Sequence, residues 1–319
     1  MLTTSIGDVA VVRLGLRVPF RRLNAREVLL WRGPLGWAEF APFVEYDDRQ
    51  AVAWLRAMRA AGERTWPAPR RASVPVNATV PAVPAAQVPT VLALFPGCTT
   101  AKVKVAEAGQ DEADDRDRLA AVRDVLGSAG RVRIDVNGRW SVDEARRLLP
   151  RYDAAAGGLE YVEQPCATAD DLARLRRVVD VPVAADESIR LGRDPRAAAE
   201  AADVVIVKVA PLGGVQAALD LVAHLDRPVV VSSALDSSVG LAAGVALAAA
   251  LPELPYACGL GTAALLDDDV TDEPLVPRDG AVPVRPVEVS ERRLADLAVD
   301  DARARWWVDR LERVVAGAA

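Results

Sequence analysis

The chain has 319 residues, 51% of them apolar, with 39 basic and 45 acidic side chains and a formal charge of -6. That length suits one large barrel or a barrel with a smaller companion domain, and the apolar share supports a sizeable core. The acidic balance argues against nucleic acid as a partner, and no run reaches the roughly 20 apolar residues that cross a bilayer.

The opening MLTTSIGDVAVVRL lacks the charged start and cleavage site of a leader, which points to the cytoplasm. VAVVRLGL and REVLLWRG read as strands, and GWAEFAP reads as a third, stopped by proline. The spacing from Asp48 to Gly62 is helical. Residues 1–72 therefore form a mixed α+β unit, ending in the Pro- and Arg-rich linker WPAPRRA. The pairs Arg21–Arg22 and Arg70–Arg71 read as solvated.

From Ser73 the rhythm changes. The runs VPVNATV, TTAKVKVA, RVRIDVN, LEYVEQP, VPVAADES, VVIVKVA, PVVVSSA and YACGLG alternate with amphipathic segments. Eight strands with helices between them make an α/β barrel over residues 73–275. From Lys104 through Asp135, Glu163, Asp186, Lys208 and Ser232 to Cys258 the intervals are 31, 28, 23, 22, 24 and 26, each one βα unit. Val239–Leu251 is too short for a membrane span and reads as a buried helix. After Val276, VPVRPVEV reads as a strand returning to the N-terminal unit, followed by helices ERRLADLA and ARARWWVDRLERVVA. Trp306 and Trp307 read as packing residues.

Three widely spaced cysteines, Cys98, Cys166 and Cys258, suit reduced thiols better than disulfides or zinc. The single histidine, His224, lies in a helical pattern. That argues against a Ser–His–Asp triad, a Cys–His pair and a His-rich zinc site. The base is left to Lys, Asp or Glu.

The polar residues that matter end predicted strands, where barrel enzymes place their sites. Asp135, Glu163 and Asp186 end three successive runs. Alone, Asp186 reads equally well as a helix N-cap. Three converging carboxylates repel one another unless a cation lies between them. An all-oxygen set favours Mg²⁺, or Mn²⁺, over zinc. Lys102 and Lys104, two apart, share one strand face, and Lys208 ends a strand opposite. An ordinary lysine is neutral only to about 0.1% near pH 7.4, so a lysine base needs neighbours that disfavour its charge. Simple ion pairing is the competing role for these lysines. The set suits removal of a proton next to a metal-bound carboxylate, with the second lysine protonating or stabilising from the other face.

These residues resemble the enolase superfamily, in its muconate-lactonizing-enzyme-like subgroup, whose general pattern is a Lys or His base with Mg²⁺. The resemblance covers nearly the whole chain: KVK at Lys102–Lys104, the acids Asp135, Glu163 and Asp186, Lys208, and GWAEFAP around Glu39. It implies a (β/α)7β TIM-like barrel whose mouth is closed by an α+β cap built from residues 1–72 and the tail 276–319. Within the subgroup, Arg133, VSSALDSSVG and CGLGTAALL resemble dehydratases. The implied reaction is a syn-dehydration in which a cyclohexadiene carboxylate becomes aromatic. Lys104 would take the α-proton and return it to the departing hydroxyl, and Lys208 would face the intermediate as a cation.

Position adds Arg133, Asn137, Ser232, Ser233 and Gly259 as candidate substrate-binding residues, with buried pairing, turn shaping or helix capping as competing roles. The Pro19–Glu27 segment over the mouth is short; Arg21 and Arg22 are candidates to grip a substrate tail. Departures include Asp236, where related sequences often carry Glu. The first alternative is 1,1-proton transfer, as in an N-succinylamino acid racemase or dipeptide epimerase. Epimerases tend to use a D-x-D pair after the last strand, and Asp267 and Asp269 read instead as an exposed acidic turn. Muconate cycloisomerisation and a non-catalytic barrel are weaker options. The expected partner is a small carboxylate, with a monomer the default state.

Overall fold

A computed structural model describes residues 8–192 and 194–318. The opening heptapeptide, part of the stretch read above for a leader, lies outside the described residues.

The first unit is an antiparallel sheet of β1 (Val9–Phe20), β2 (Leu23–Gly33) and β3 (Gly36–Phe40), followed by α1 (Asp48–Glu63). Asp47 and Gln50 form a capping box that starts α1. Between β1 and β2 the turn residues Arg21 and Arg22 have φ of 52° and 62°. Turns of that hand match the twist of a two-residue hairpin but are normally given to Asn or Gly. Two arginines hold that turn here.

β4 (Ser73–Pro75) and β5 (Ala78–Val80) divide the run read as one strand. β5 joins a parallel sheet with β6 (Thr100–Lys104), β7 (Arg131–Asp135), β8 (Leu159–Glu163), β9 (Val183–Ala185), β10 (Val204–Lys208) and β11 (Val229–Ser232), neighbours in chain order. The helices between are α2 (Val88–Leu92), α3 (Glu112–Leu126), α4 (Val142–Ala156), α5 (Ala169–Arg176), α6 (Glu187–Arg190), α7 (Pro195–Glu200), α8 (Val215–Val222) and, after β11, α9 (Ser238–Ala250). The strands are apolar on both faces because helices cover one and the barrel interior the other.

The expected eighth strand, YACGLG, is reduced to two parallel bridges, Cys258 to Val76 and Gly259 to Ser232, which close the ring. Just before the first bridge, the Ala257 carbonyl accepts from Arg133 Nη1 at 2.7 Å. The returning strand β12 (Ala281–Pro283) pairs with β4 rather than with the N-terminal sheet.

α10 (Glu291–Asp296) precedes α11 (Asp301–Ala318), which packs on α1. Trp307 is fully buried, edge-on to Phe40 at 6.4 Å, and donates Nε1 to Glu27. α9 is apolar nearly all round because it is enclosed between barrel and cap. Arg70 and Arg71 are not merely solvated: Arg70 Nε donates to the Ala250 carbonyl, and Arg71 to those of Ala248 and Pro252. They satisfy carbonyls that the C-terminus of a helix leaves unpaired. His224 follows α8 and is exposed. No helix among the described residues is long and apolar enough to cross a membrane.

Candidate active site

The chemistry-bearing side chains gather at the C-terminal ends of the barrel strands. Lys102 Nζ donates to both carboxylate oxygens of Glu163 at 2.8 Å and lies 3.6 Å from Asp135 Oδ2. Lys104 Nζ donates to Asp135 Oδ2 at 2.5 Å and to Asn137 Oδ1 at 2.8 Å. Lys208 donates to Asp186 Oδ2. β6 and β10 stand four places apart in the closed ring of eight, so Lys104 and Lys208 approach the mouth from opposite sides.

Asp186 begins α6, but its side chain makes no capping bond and turns to Lys208 and Arg190 instead. Its backbone is held by Gln164, whose Oε1 accepts from Asp186 N at 2.9 Å and Ser188 N at 3.1 Å. Gln164 holds the left-handed φ of 39° that this reach requires. Asn137 also has a positive φ, 51°, and its Nδ2 donates to Glu187 Oε1 at 3.2 Å. It therefore both shapes the turn and orients Lys104.

Asp135, Glu163 and Asp186 are at most 1% exposed. Burial pushes Asp135 up, but the Lys104 and Lys102 ammoniums outweigh it and hold the group below the usual carboxylate range. Asp186 is held at about 2, burial being outweighed by Lys208 and Arg190. Burial raises Glu163, Lys102 pulls it back, and Asp135 and Asp186 add to the rise, leaving it at about 7. Burial works against the Lys102 charge, yet Glu163 and Asp135 keep it above the ordinary ammonium range. The mouth thus holds one carboxylate that does not ionise readily, the condition that a further cation relieves.

A narrow cleft opens onto Lys102, Lys104, Asp135, Asn137 and Lys208. Ser232, Ser233 and Gly259 line its wall. Ser233 Oγ donates to the Gly259 carbonyl at 3.1 Å and meets Thr262 Oγ1 at 2.7 Å. A Cβ on Gly259 would lie 2.4 Å from Ser232 Oγ, so a larger residue there would displace the serine hydroxyl. Arg133 is not part of this lining. It is fully buried a layer below, with Nε on Glu160 at 2.5 Å and Nη1 on Asn77 Oδ1 at 3.1 Å. It stacks on Tyr161 and so braces the barrel floor.

The cap supplies Phe20, Arg21, Phe43, Tyr46 and Trp54 to the cleft. Arg21 pairs with Glu45 at 3.3 Å and lies over Phe43, while Arg22 pairs with Glu107. Arg21 thus faces the site. Tyr46, Trp54 and Arg190 have no sequence signal of their own; only Arg190, four residues after Asp186 on one helical turn, was open to inference. Asp267 and Asp269 do not line the cleft. Asp269 is buried, correcting the reading of an exposed turn, because it accepts from Ser238 N and Oγ at the start of α9.

Residues 91–287 match the model of the enolase C-terminal domain-like family, and residues 11–62 that of the enolase N-terminal domain-like family. An o-succinylbenzoate synthase of Thermobifida fusca is 59% identical over 298 residues, 93% of this chain and 92% of its own length. One of Mycolicibacterium smegmatis is 55% identical over 303 residues, 94% and 93% of the two chains. Among solved structures, the muconate lactonizing enzyme of Pseudomonas fluorescens aligns at TM-score 0.78 and 19% identity, covering 92% of this chain and 98% of its own. The L-Ala-D/L-Glu epimerase of Bacillus subtilis aligns at TM-score 0.70 and 21% identity, covering 89% and 96%. At those identities the structures speak for the fold alone.

Proposed function

Since the chain belongs to the o-succinylbenzoate synthase family of enolase-like proteins, we propose that it dehydrates 2-succinyl-6-hydroxy-2,4-cyclohexadiene-1-carboxylate to 2-succinylbenzoate, a step of menaquinone biosynthesis. The observation that carries the substrate is the 59% identity to the Thermobifida fusca enzyme over 93% of the chain; the proton chemistry rests on the opposed pair Lys104 and Lys208, each held on a carboxylate at a strand end.

Asp135, Glu163 and Asp186 would hold the divalent cation, Mg²⁺ or Mn²⁺. They offer oxygen donors only, the chemistry that hard cations take. Among the described residues no three Asp, Glu, His or Cys side chains are gathered closely enough to hold an ion as they stand, because each carboxylate is turned onto an ammonium. Bound there, a divalent cation supplies Lewis-acid charge to the substrate carboxylate.

The protein's own residues do the rest. Lys104 Nζ takes the proton α to the carboxylate, oriented by Asp135 and Asn137. On the same face it then delivers a proton to the departing hydroxyl, which leaves as water as the ring becomes aromatic. Lys208 Nζ stays protonated on the opposite face and offsets the negative charge that develops. The side chains near the reacting centre are four carboxylates (Asp135, Glu163, Asp186, Glu187) against four cations (Lys102, Lys104, Lys208, Arg190). With Lys104 deprotonated, as a base must be, a divalent cation leaves that set with a single positive charge, which favours an anionic substrate. Ser232, Ser233 and the mouth residue Arg21 are placed to receive its oxygens.

The test is an absorbance assay with that cyclohexadiene substrate, with Mg²⁺ and with the metal chelated. Rapid Mg²⁺-dependent aromatisation is expected. No turnover in folded protein that binds Mg²⁺ would move the assignment to 1,1-proton transfer on the same two lysines.

A further inference from the structure

Arg190 is a buried guanidinium that the reaction outlined above does not use. Its side chain is 5% exposed and sits one helical turn after Asp186. Nε reaches Asp186 Oδ1 at 3.3 Å, Nη2 donates to Glu187 Oε1 at 2.8 Å, and Nη1 donates to Tyr46 Oη at 2.9 Å. Asp186 presents its other oxygen, Oδ2, to Lys208. The Arg190 fork thus occupies Oδ1 of the carboxylate and leaves Oδ2 to Lys208. It also ties Glu187, whose Oε2 has no partner among the described residues, at the rim of the site.

Tyr46 belongs to the cap. Its carbonyl accepts from Arg310 of α11 at 2.6 Å, and its ring packs on Phe43 at 5.8 Å and on Trp54 at 5.5 Å. A continuous chain of polar contacts therefore runs from α11 through Tyr46 and Arg190 to Asp186 and Lys208. A planar fork engaging three partners at set angles is something that Arg provides and Lys does not.

We propose that Arg190 is a positioning residue. It sets the orientation of the Asp186 carboxylate, keeps Glu187 from taking its place, and links the metal site to the docked cap through Tyr46. This rests on the reading that Asp186 is a metal ligand. The opposing view is that Arg190 only neutralises two buried acids. The two views predict opposite signs. Loss of a mere neutralising charge would leave the site more negative and tighten Mg²⁺, whereas loss of a partner that orients a ligand typically weakens metal affinity 10- to 100-fold.

The experiment is a calorimetric Mg²⁺ titration of the full chain, without substrate, on wild type and on Arg190→Met, Arg190→Lys, Tyr46→Phe and Asp186→Ala. Melting temperatures are taken in parallel. The expected order is a 10-fold or greater weakening for Arg190→Met, a smaller loss for Arg190→Lys, and two- to three-fold for Tyr46→Phe. Asp186→Ala marks the floor. Wild-type or tighter Mg²⁺ binding by Arg190→Met would overturn the proposal. Should that variant not fold, Arg190→Lys and Tyr46→Phe both binding as wild type would overturn it equally. If wild type binds Mg²⁺ and Asp186→Ala binds as well as wild type, the ligand assignment fails first, and the inference falls with it.

Discussion

At the barrel mouth, Asp135, Glu163 and Asp186 are each met by a lysine ammonium. At the seam between cap and barrel, Glu39 and Asp269 are met instead by N–H and hydroxyl groups at the start of α9. Glu39 Oε2 accepts from Ser237 N at 3.1 Å, from Gly240 N at 3.3 Å and from Ser237 Oγ. Asp269 accepts from Ser238 N at 3.2 Å and from its Oγ at 2.7 Å. Arg26 completes the seam, with Nε on the Leu235 carbonyl at 3.2 Å and its guanidinium over Phe43 at 4.2 Å. Backbone donors at a helix N-terminus are fixed in place and favour negative charge, so they dock one element on another. Ammoniums on flexible stems beside a cleft can exchange partners. Burial alone therefore does not separate a reactive acid from a structural one; the kind of donor does.

The sharpest way to break this contrast is to remove the mobile cations. Lys104→Ala and Lys208→Ala should each lower turnover by at least about 10³-fold, at the upper end of what one acid–base group contributes. Both should fold, since Asp135 keeps Lys102 at 3.6 Å and Asp186 keeps Arg190 at 3.3 Å. Circular dichroism alongside the assay separates the two effects, and most of the activity surviving in either variant would end the two-lysine assignment.

The seam should respond to pH rather than to substrate. Burial beside Asp236 pushes Glu39 from 4.5 to about 8, opposed by Ser237 and Arg26, with Asp269 adding to the rise. The folded protein thus binds a proton that the unfolded chain releases. The stability from this group is complete below about pH 4.5 and is lost as the pH rises through about 8. Glu39→Gln keeps an acceptor oxygen and removes the titration, so the melting temperature should fall less between pH 5 and 8.5 than in wild type. Equal slopes would mean that Glu39 does not take up the proton.

The smallest effect belongs to Gly240, where an added Cβ would lie 2.8 Å from Glu39 Cδ and 2.9 Å from Asp236 Cβ. Gly240→Ala should cost about 1–3 kcal/mol, as overpacking does, read by urea denaturation with Mg²⁺-dependent activity retained. No loss would show that the seam is looser than its contacts suggest.

Much of the barrel was legible because each βα unit repeats an apolar run, a polar strand end and an amphipathic helix. The strand ends placed Lys102, Lys104, Asp135, Glu163, Asp186 and Lys208 together because alternation along a strand is a local rule. Arg133 obeyed the same rule: it points inward below the acids and pairs with Glu160, the buried pairing weighed for it as the competing role. YACGLG read as a full strand, yet only two bridges form, to Val76 and Ser232, because pairing depends on distant neighbours and not on the run itself. Asp267 and Asp269 looked alike in sequence, and only the packing of α9 buried the second.

The amino-acid sequence by itself determined the alternation of strands and helices, the acids and lysines at the strand ends, and the scarcity of histidine that turns the search for a base to lysine. These follow from periodicity and composition, which each segment carries on its own. Tertiary structure alone decided that Tyr46 and Trp54 would come from the cap to the cleft, that Arg190 would join cap to Asp186, and that Glu39 would dock on α9. Those contacts link residues up to 201 positions apart, and no local pattern encodes a partner at that distance. It emerges only when the cap is folded onto the barrel and each buried polar group must find a match.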